Sequence, residues 1–317
     1  MFNKRLRRAE IAAETLEIIR RKGYRNPYIS KDHDDGDGDG GNSMISIASD
    51  LETARNGTLI LDKPTTQAWM KRGVESTGNR RSSGGPNVSV VNAGTFTAAR
   101  DLVLKERGLE QTWGSGVCCL NFASAKNPGG GFLNGSQAQE EALTRASGLY
   151  ECLLTVPLYY ETNRKRSKSN LGTYEDLIIY SPNVPVFREA NDELVEDPWT
   201  TAIITAPAPN RAVLLITKGL TEEKWNERER MIRDAFRDRI DMVLSTAMKY
   251  GHRSLVLGAW GCGVFRNDPK VVARLFRDAL RKDCFEGAFD TVVFAVLDWT
   301  RDLQNYKAFE EVFSNDT

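Results

Sequence analysis

The sequence predicts an α/β domain built on a mainly parallel central sheet. Three observations carry this reading. Short apolar runs alternate with amphipathic helical stretches, glycine-rich loops follow two of those runs, and helix stop signals separate the units. Residues 5–22 open with Leu6, Ile11, Leu16 and Ile19 at helical spacing. The stretch DHDDGDGDGGNS then breaks the pattern. It sets Asp35, Asp37, Asp39 and Gly40 at calcium-loop positions, but Ser46 stands where that loop needs a bidentate Glu, so it reads as a solvated loop. KRGVESTGNRRSSGGPN is a second polar segment. Residues 1–87 are therefore expected to form an N-terminal helical extension with polar loops, and residues 88–317 the main domain.

Within that domain SVVNA reads as a strand and FTAARDLVLKE as a helix; VCCLNFASA is a buried strand, and QEEALTRASGLYECLL one helix. DLIIYS and AIITAPA are strands, followed by a long helix that ends at Gly251. SLVLGAW, NDPKVVARLFRDALRK and TVVFAVL complete the series as strand, helix and strand. Residues 163–170 and 187–198 read as charged surface loops.

Composition narrows the function. Lys+Arg and Asp+Glu are equal at 43 each, so an anionic ligand must be held by a local pocket rather than a global field. No apolar run has bilayer length, and the basic N-terminus lacks a signal peptide's hydrophobic stretch. The expectation is an intracellular protein, cytoplasmic or nuclear, with no membrane partner. Cys118, Cys119, Cys152, Cys262 and Cys284 form no CxxC pair, which suits a reducing compartment. With His33 and His252 as the only histidines, a histidine zinc site or a Ser-His triad is poorly supported, and neither metal nor cofactor is expected.

The densest chemical signal is NFASAKNPGGGFLNGSQAQEEALTRASGLYECLL. It follows a strand, and ligands of open α/β sheets bind outside the carboxyl ends of strands. Gly129, Gly130 and Gly131 allow positive φ and close backbone approach. Asn127 offers a donor and an acceptor to a sugar hydroxyl. Gln139, Glu140 and Glu141 fall in the first turn of a helix, where acids also serve as caps through the macrodipole. Capping explains neither the triple glycine nor the asparagine. Consecutive helical residues point about 100° apart, so these two acids are not expected to flank one scissile bond as paired glycosidase carboxylates do.

A second loop, GAWGCGVFRNDP, links a strand to a helix. Gly258, Gly261 and Gly263 can turn backbone N–H groups toward a phosphate. The order G-x-x-G-x-G is not the dinucleotide order G-x-G-x-x-G, which argues against a nicotinamide-dependent oxidoreductase.

The GGG…QEE spacing, together with KNPGGG, TAPAPN at 205–210 and GAWGCGVFRNDP at 258–269, resembles the poly(ADP-ribose) glycohydrolases, catalytic members of the macrodomain fold. The resemblance runs over roughly residues 88 to 300 and is nearest the shorter bacterial or fungal type. It implies a three-layer α/β/α macrodomain with a mixed, mainly parallel central sheet. It also implies hydrolysis of ribose–ribose O-glycosidic bonds from chain ends, with release of ADP-ribose. Glu141 would be the catalytic carboxylate. Glu140 and Asn127 would bind ribose hydroxyls, and Gln139 would orient the motif beside Gly129, Gly130 and Gly131. Gly261, Cys262, Gly263 and Val264 would form the diphosphate loop, with Phe265 against the terminal ribose. Arg266 departs from the Gly of many macrodomains and is unassigned. Implied partners are poly(ADP-ribose), ADP-ribose and poly(ADP-ribosyl)ated proteins, without direct nucleic-acid binding. A non-catalytic ADP-ribose reader would have no need of Glu141.

Overall fold

Among the described residues, seven of the nine strands join in one sheet, because their β-branched and apolar runs are buried on both faces by helices. A computed structural model describes residues 2–28, 44–75, 85–107, 116–166 and 171–314. The Asp/Gly-rich stretch at 32–43 lies outside them. The N-terminal part comprises α1 (Phe2–Arg21), β1 (Gly23–Arg25), β2 (Met44–Ser46), α2 (Ala48–Gly57), β3 (Leu59–Asp62) and α3 (Lys63–Glu75). Next come β4 (Asn87–Val91), α4 (Thr95–Arg107), β5 (Val117–Phe122), α5 (Gln139–Ala146), α6 (Leu149–Leu154) and α7 (Pro157–Arg166). A long hairpin, β6 (Leu177–Arg188) and β7 (Leu194–Ala206), leads to α8 (Ala212–Ile216) and α9 (Glu222–Lys249). The chain closes with β8 (Ser254–Leu257), α10 (Pro269–Leu280), β9 (Thr291–Ala295) and α11 (Gln304–Ser314).

The sheet order is β3-β6-β7-β5-β8-β9-β4. Strands from β7 to β4 pair in parallel, whereas β3 and β6 add an antiparallel edge. One face packs on α9, α10 and α11 through Phe236, Ile240, Phe276 and Phe309; the other packs on α4, α5 and α6 through Ala99, Leu143 and Leu149. This is the expected three-layer arrangement. His252 belongs to its core, where it meets the Tyr180 hydroxyl at 2.8 Å and burial lowers its pKa to about 4.

Three expectations need correction. First, the N-terminal region is no appendage: β3 pairs with β6 at the edge of the main sheet, so residue 87 does not separate two bodies. Second, residues 187–198 are not a surface loop. They complete the β6–β7 hairpin, with Phe187 buried and acidic residues gathered at its turn. Prolines and charges disguise these strands; Pro182 falls in a register shift between Ser181 and Val184, where a bulge tolerates its missing N–H. Third, the helix expected over 139–154 breaks at Ser147 and Gly148. Ser147 bridges to Val186, and a Cβ on Gly148 would lie 2.8 Å from Leu51 Cδ1.

Candidate active site

The chain leaves β5 at Phe122, turns through the glycine triplet and enters α5 at Gln139. Gln139 locks this return. Its Oε1 accepts from the Phe122 N–H at 2.8 Å, and its Nε2 donates to Leu120 O at 2.7 Å and Thr95 Oγ1 at 3.0 Å. One side chain thus joins α5 to β5 and to the start of α4.

Glu141 is buried, with one N–H on each oxygen. Oε1 accepts from Gly131 N and Oε2 from Ala138 N, both at 2.9 Å. The second bond is the backward reach of an N3 acid in a capping box, although Ala138 brings no side-chain acceptor of its own. The capping role therefore exists, and it aims the carboxylate. Glu140 is only 3% exposed. Its Oε2 accepts from Ser124 N at 2.7 Å, and Asn121 Nδ2 stands 3.4 Å from Oε1.

Gly130 brings the two acids together. It has φ +61°, and a Cβ there would lie 2.5 Å from Glu141 Oε1 and 2.9 Å from Glu140 Oε2. The helical backbone does splay consecutive residues, but both carboxylate tips fold back onto this one glycine. Gly129 and Gly131 are also filled from within: a Cβ would lie 2.8 Å from Thr144 Cγ2 or 2.5 Å from Ser136 Oγ. Asn127 is exposed on the approach to the triplet, where its carbonyl accepts from Gly130 N.

Burial pushes the Glu140 carboxyl up to about 8; the Ser124 N–H and the Asn121 amide oppose the rise, and Glu141 adds to it. The folded pKa lies above the unfolded 4.5, so across that window the folded state keeps a proton that the unfolded state releases. The stability this group contributes is full below the lower value and falls as pH rises toward the upper. Glu140→Gln keeps an acceptor for Ser124 and can turn a donor toward Asn121 Oδ1, which is buried without a protein partner. Its melting temperature is expected to decline less than the parent's between those pH values. Identical slopes in a pH series of thermal melts would refute this.

The second loop leaves β8 at Gly258, where a Cβ would lie 2.5 Å from Ala295 O. Gly261 has φ +73° and no room beside Ala208 Cβ, at 2.5 Å. Asn267 Nδ2 donates to Gly261 O and Pro209 O, fixing the turn. Gly263 has open space where a side chain would stand. Val264 is 83% exposed, and Phe265 is half-buried against Tyr174, ring centroids 6.2 Å apart. Burial pushes the Cys262 thiol well up, which disfavours the nucleophilic thiolate. Arg266 adopts φ +54°, the left-handed region in which glycine is at ease, and its carbonyl accepts from Arg211 Nη1 at 3.3 Å.

A cleft of about 810 Å³ runs past both loops, lined by Gly94, Thr95, Phe122, Gln139, Gly263 and Trp299 among others. Glu140, Glu141 and the glycine triplet are not among its lining residues; Ala138, which does line it, donates its N–H to Glu141. Sequence reasoning missed Asn121 and Ser124. Asn121 left a signal, a lone amide in the apolar strand VCCLNF. Trp299, without a pattern in the sequence, stands 83% exposed at the cleft on a segment pinned by Asp298, whose carboxylate accepts from Thr300 and Asn305 N–H groups. Among the described residues no cluster of His, Cys, Asp and Glu could hold a metal ion, and no helix is long and apolar enough to cross a membrane.

The family model described as microbial-type PARG, catalytic domain, PARG being poly(ADP-ribose) glycohydrolase, matches residues 12–189. The chain belongs to this family. It is therefore a PARG-type glycosidase, and the match begins inside α1, consistent with a continuous domain. Among solved structures, PARG from Thermomonospora curvata is 38% identical with a TM-score of 0.79, the match covering 98% of this chain and 100% of that one. The same PARG bound to the inhibitor ADP-HPD is 37% identical with a TM-score of 0.77, covering 97% and 99%. PARG from Deinococcus radiodurans in complex with ADP-ribose is 39% identical with a TM-score of 0.71, covering 84% and 97%. No curated protein matches the chain.

Proposed function

We propose that this PARG removes ADP-ribose units from the ends of poly(ADP-ribose), with Glu141 as its acid and base. The support is the placement of one carboxylate, fixed by the Gly131 and Ala138 N–H groups, against a glycine whose missing side chain leaves it room. In the reaction Glu141 gives its proton to the departing ribose 2′-oxygen of the next unit, and the glycosidic bond breaks. An oxocarbenium-like C1″ remains on the terminal ribose. The ionised carboxylate takes a proton from water, whose oxygen bonds to C1″, and Glu141 regains the proton it lost. Glu140, neutral below its raised pKa, spares the site a second negative charge. It also holds Asn121 and the Ser124 turn that shape the ribose end, beside Asn127. Backbone N–H groups between Gly261 and Val264 suit the diphosphate, and Phe265 closes the site near the terminal ribose.

Attack at chain ends is favoured by the wall at 297–305. Asp298 accepts bonds there from its own loop and donates its N–H to Asn92 Oδ1 at 2.9 Å, a fixed barrier where an internal unit would have to continue. Incubation with long polymer should yield free ADP-ribose from the first minutes without shorter oligomers building up. Early oligomers would refute end-wise attack, and no ADP-ribose at any time would refute the glycohydrolase reading.

A further inference from the structure

The chain carries no net charge, so any attraction for a polyanion must come from a local patch. One such patch lies on the cleft. Lys4, Arg7 and Arg8 of α1 line it together with Gln137, Ala138 and Gln139, at the threshold of the catalytic helix. The other charged residues lining the cleft are already matched. Arg145 pairs with Asp192, Arg188 with Glu14, and Arg100 with Glu189. Among the described residues, Lys4, Arg7 and Arg8 form no ion pair, and Lys4 and Arg7 are exposed.

This patch is built into the site rather than hung beside it. Arg5 Nε donates to Asn134 O and Arg8 Nε to Gly135 O, both at 2.8 Å. The approach is so close that a Cβ on Gly135 would fall 2.1 Å from Arg5 O. Thr15 Oγ1 donates to Arg145 O at 2.7 Å, tying the middle of α1 to the end of α5. The cations are therefore held in fixed register with the loop that carries Gly131 into Glu141.

We propose that Lys4, Arg7 and Arg8 bind the diphosphate of the polymer unit beyond the scissile bond, on the leaving-group side. This rests on the glycohydrolase reading and extends it. The terminal unit fills the two-loop part of the cleft, and each further unit of the polymer carries a diphosphate that must pass the helix start. Three unmatched cations on that route give the enzyme a grip on polymer that free ADP-ribose, its product, does not use. A repeating diphosphate suits such a wall better than a nucleic acid does, because among the described residues no row of exposed aromatic side chains accompanies the cations for bases to stack on.

The test compares Glu141→Gln with a triple variant that adds Lys4→Ala and Arg7→Ala, leaving Arg8 in place because it docks the helix. Binding of long poly(ADP-ribose) and of ADP-ribose is titrated at several salt concentrations, with melting temperatures compared. Polymer affinity should fall about 5-fold or more, and the salt slope should flatten by about 1.4 for two lost phosphate contacts, while ADP-ribose affinity stays within about twofold. Unchanged polymer binding, or an equal loss for both ligands, would overturn the proposal. So would single-stranded DNA displacing polymer at equal phosphate concentration. If melting falls with the alanines, the same comparison with Lys4→Gln and Arg7→Gln decides. Wild-type protein that releases no ADP-ribose would instead refute the glycohydrolase reading, which these binding titrations do not depend on.

Discussion

Glu141→Gln should bind ADP-ribose nearly as well as the parent and lose turnover by about 10²–10⁴-fold or more, the scale on which a positioned proton donor and acceptor contributes. The amide is isosteric and keeps one acceptor, so either Gly131 or Ala138 retains its bond. The other N–H faces the new NH₂, and leaving one buried donor unmet costs about 1–3 kcal/mol. A modest drop in melting temperature should thus accompany the loss of activity. Release of ADP-ribose from polymer, measured beside ADP-ribose affinity, checks both halves. Turnover within tenfold of the parent would remove Glu141 from its role.

Gly130→Ala should be nearly as damaging, without replacing any ionisable group. A side chain at φ +61° costs about 1–2 kcal/mol in backbone strain alone. The added carbon would lie 2.5 Å from Glu141 Oε1, an oxygen that cannot retreat without giving up Gly131 N. Displacing a catalytic group by about 1 Å can lower the rate about 10²-fold. Gly263→Ala is the control. Its Cβ meets nothing within 4 Å, so the fold should be untouched and any effect should appear only as weaker ligand binding. Kinetics and thermal melts of the two variants side by side separate these outcomes. Equal activity of both would mean that the contact at Gly130 does not matter.

The parallel half of the fold was legible in the sequence because its strands are buried on both faces and read as unbroken apolar runs. VCCLNF, SLVL and TVVFA are examples. The antiparallel half was legible only in part, since DLIIYS and AIITAPA marked one end of β6 and β7 but not the hairpin that joins them or the pairing with β3. In β6 and β7 polar residues, prolines and bulges alternate with core positions such as Val186 and Trp199, so local composition mimics a loop. The four-residue β3 is too short for periodicity to register. At the site, the glycines and acids stood out as residue types. Their purpose did not, because the contact that makes Gly130 necessary is with side chains ten and eleven positions away. Spacing also could not tell which acid is turned inward. Both prove buried, and desolvation acts on Glu140 strongly enough to raise its carboxyl. The basic face of α1 was visible as charge, yet only its docking on Gly135 ties it to the cleft.

The segment carrying Glu141 is eight residues long, below the ~12–15 at which a helix holds itself together in water. It has no shape of its own to lend the reaction. Gln139 anchors its front, Thr15 its end, and the bridge from Ser147 to Val186 stops it from running on. Aim is therefore borrowed from three distant stretches of the chain. Losing any one of them disarms the molecule well before its core comes apart.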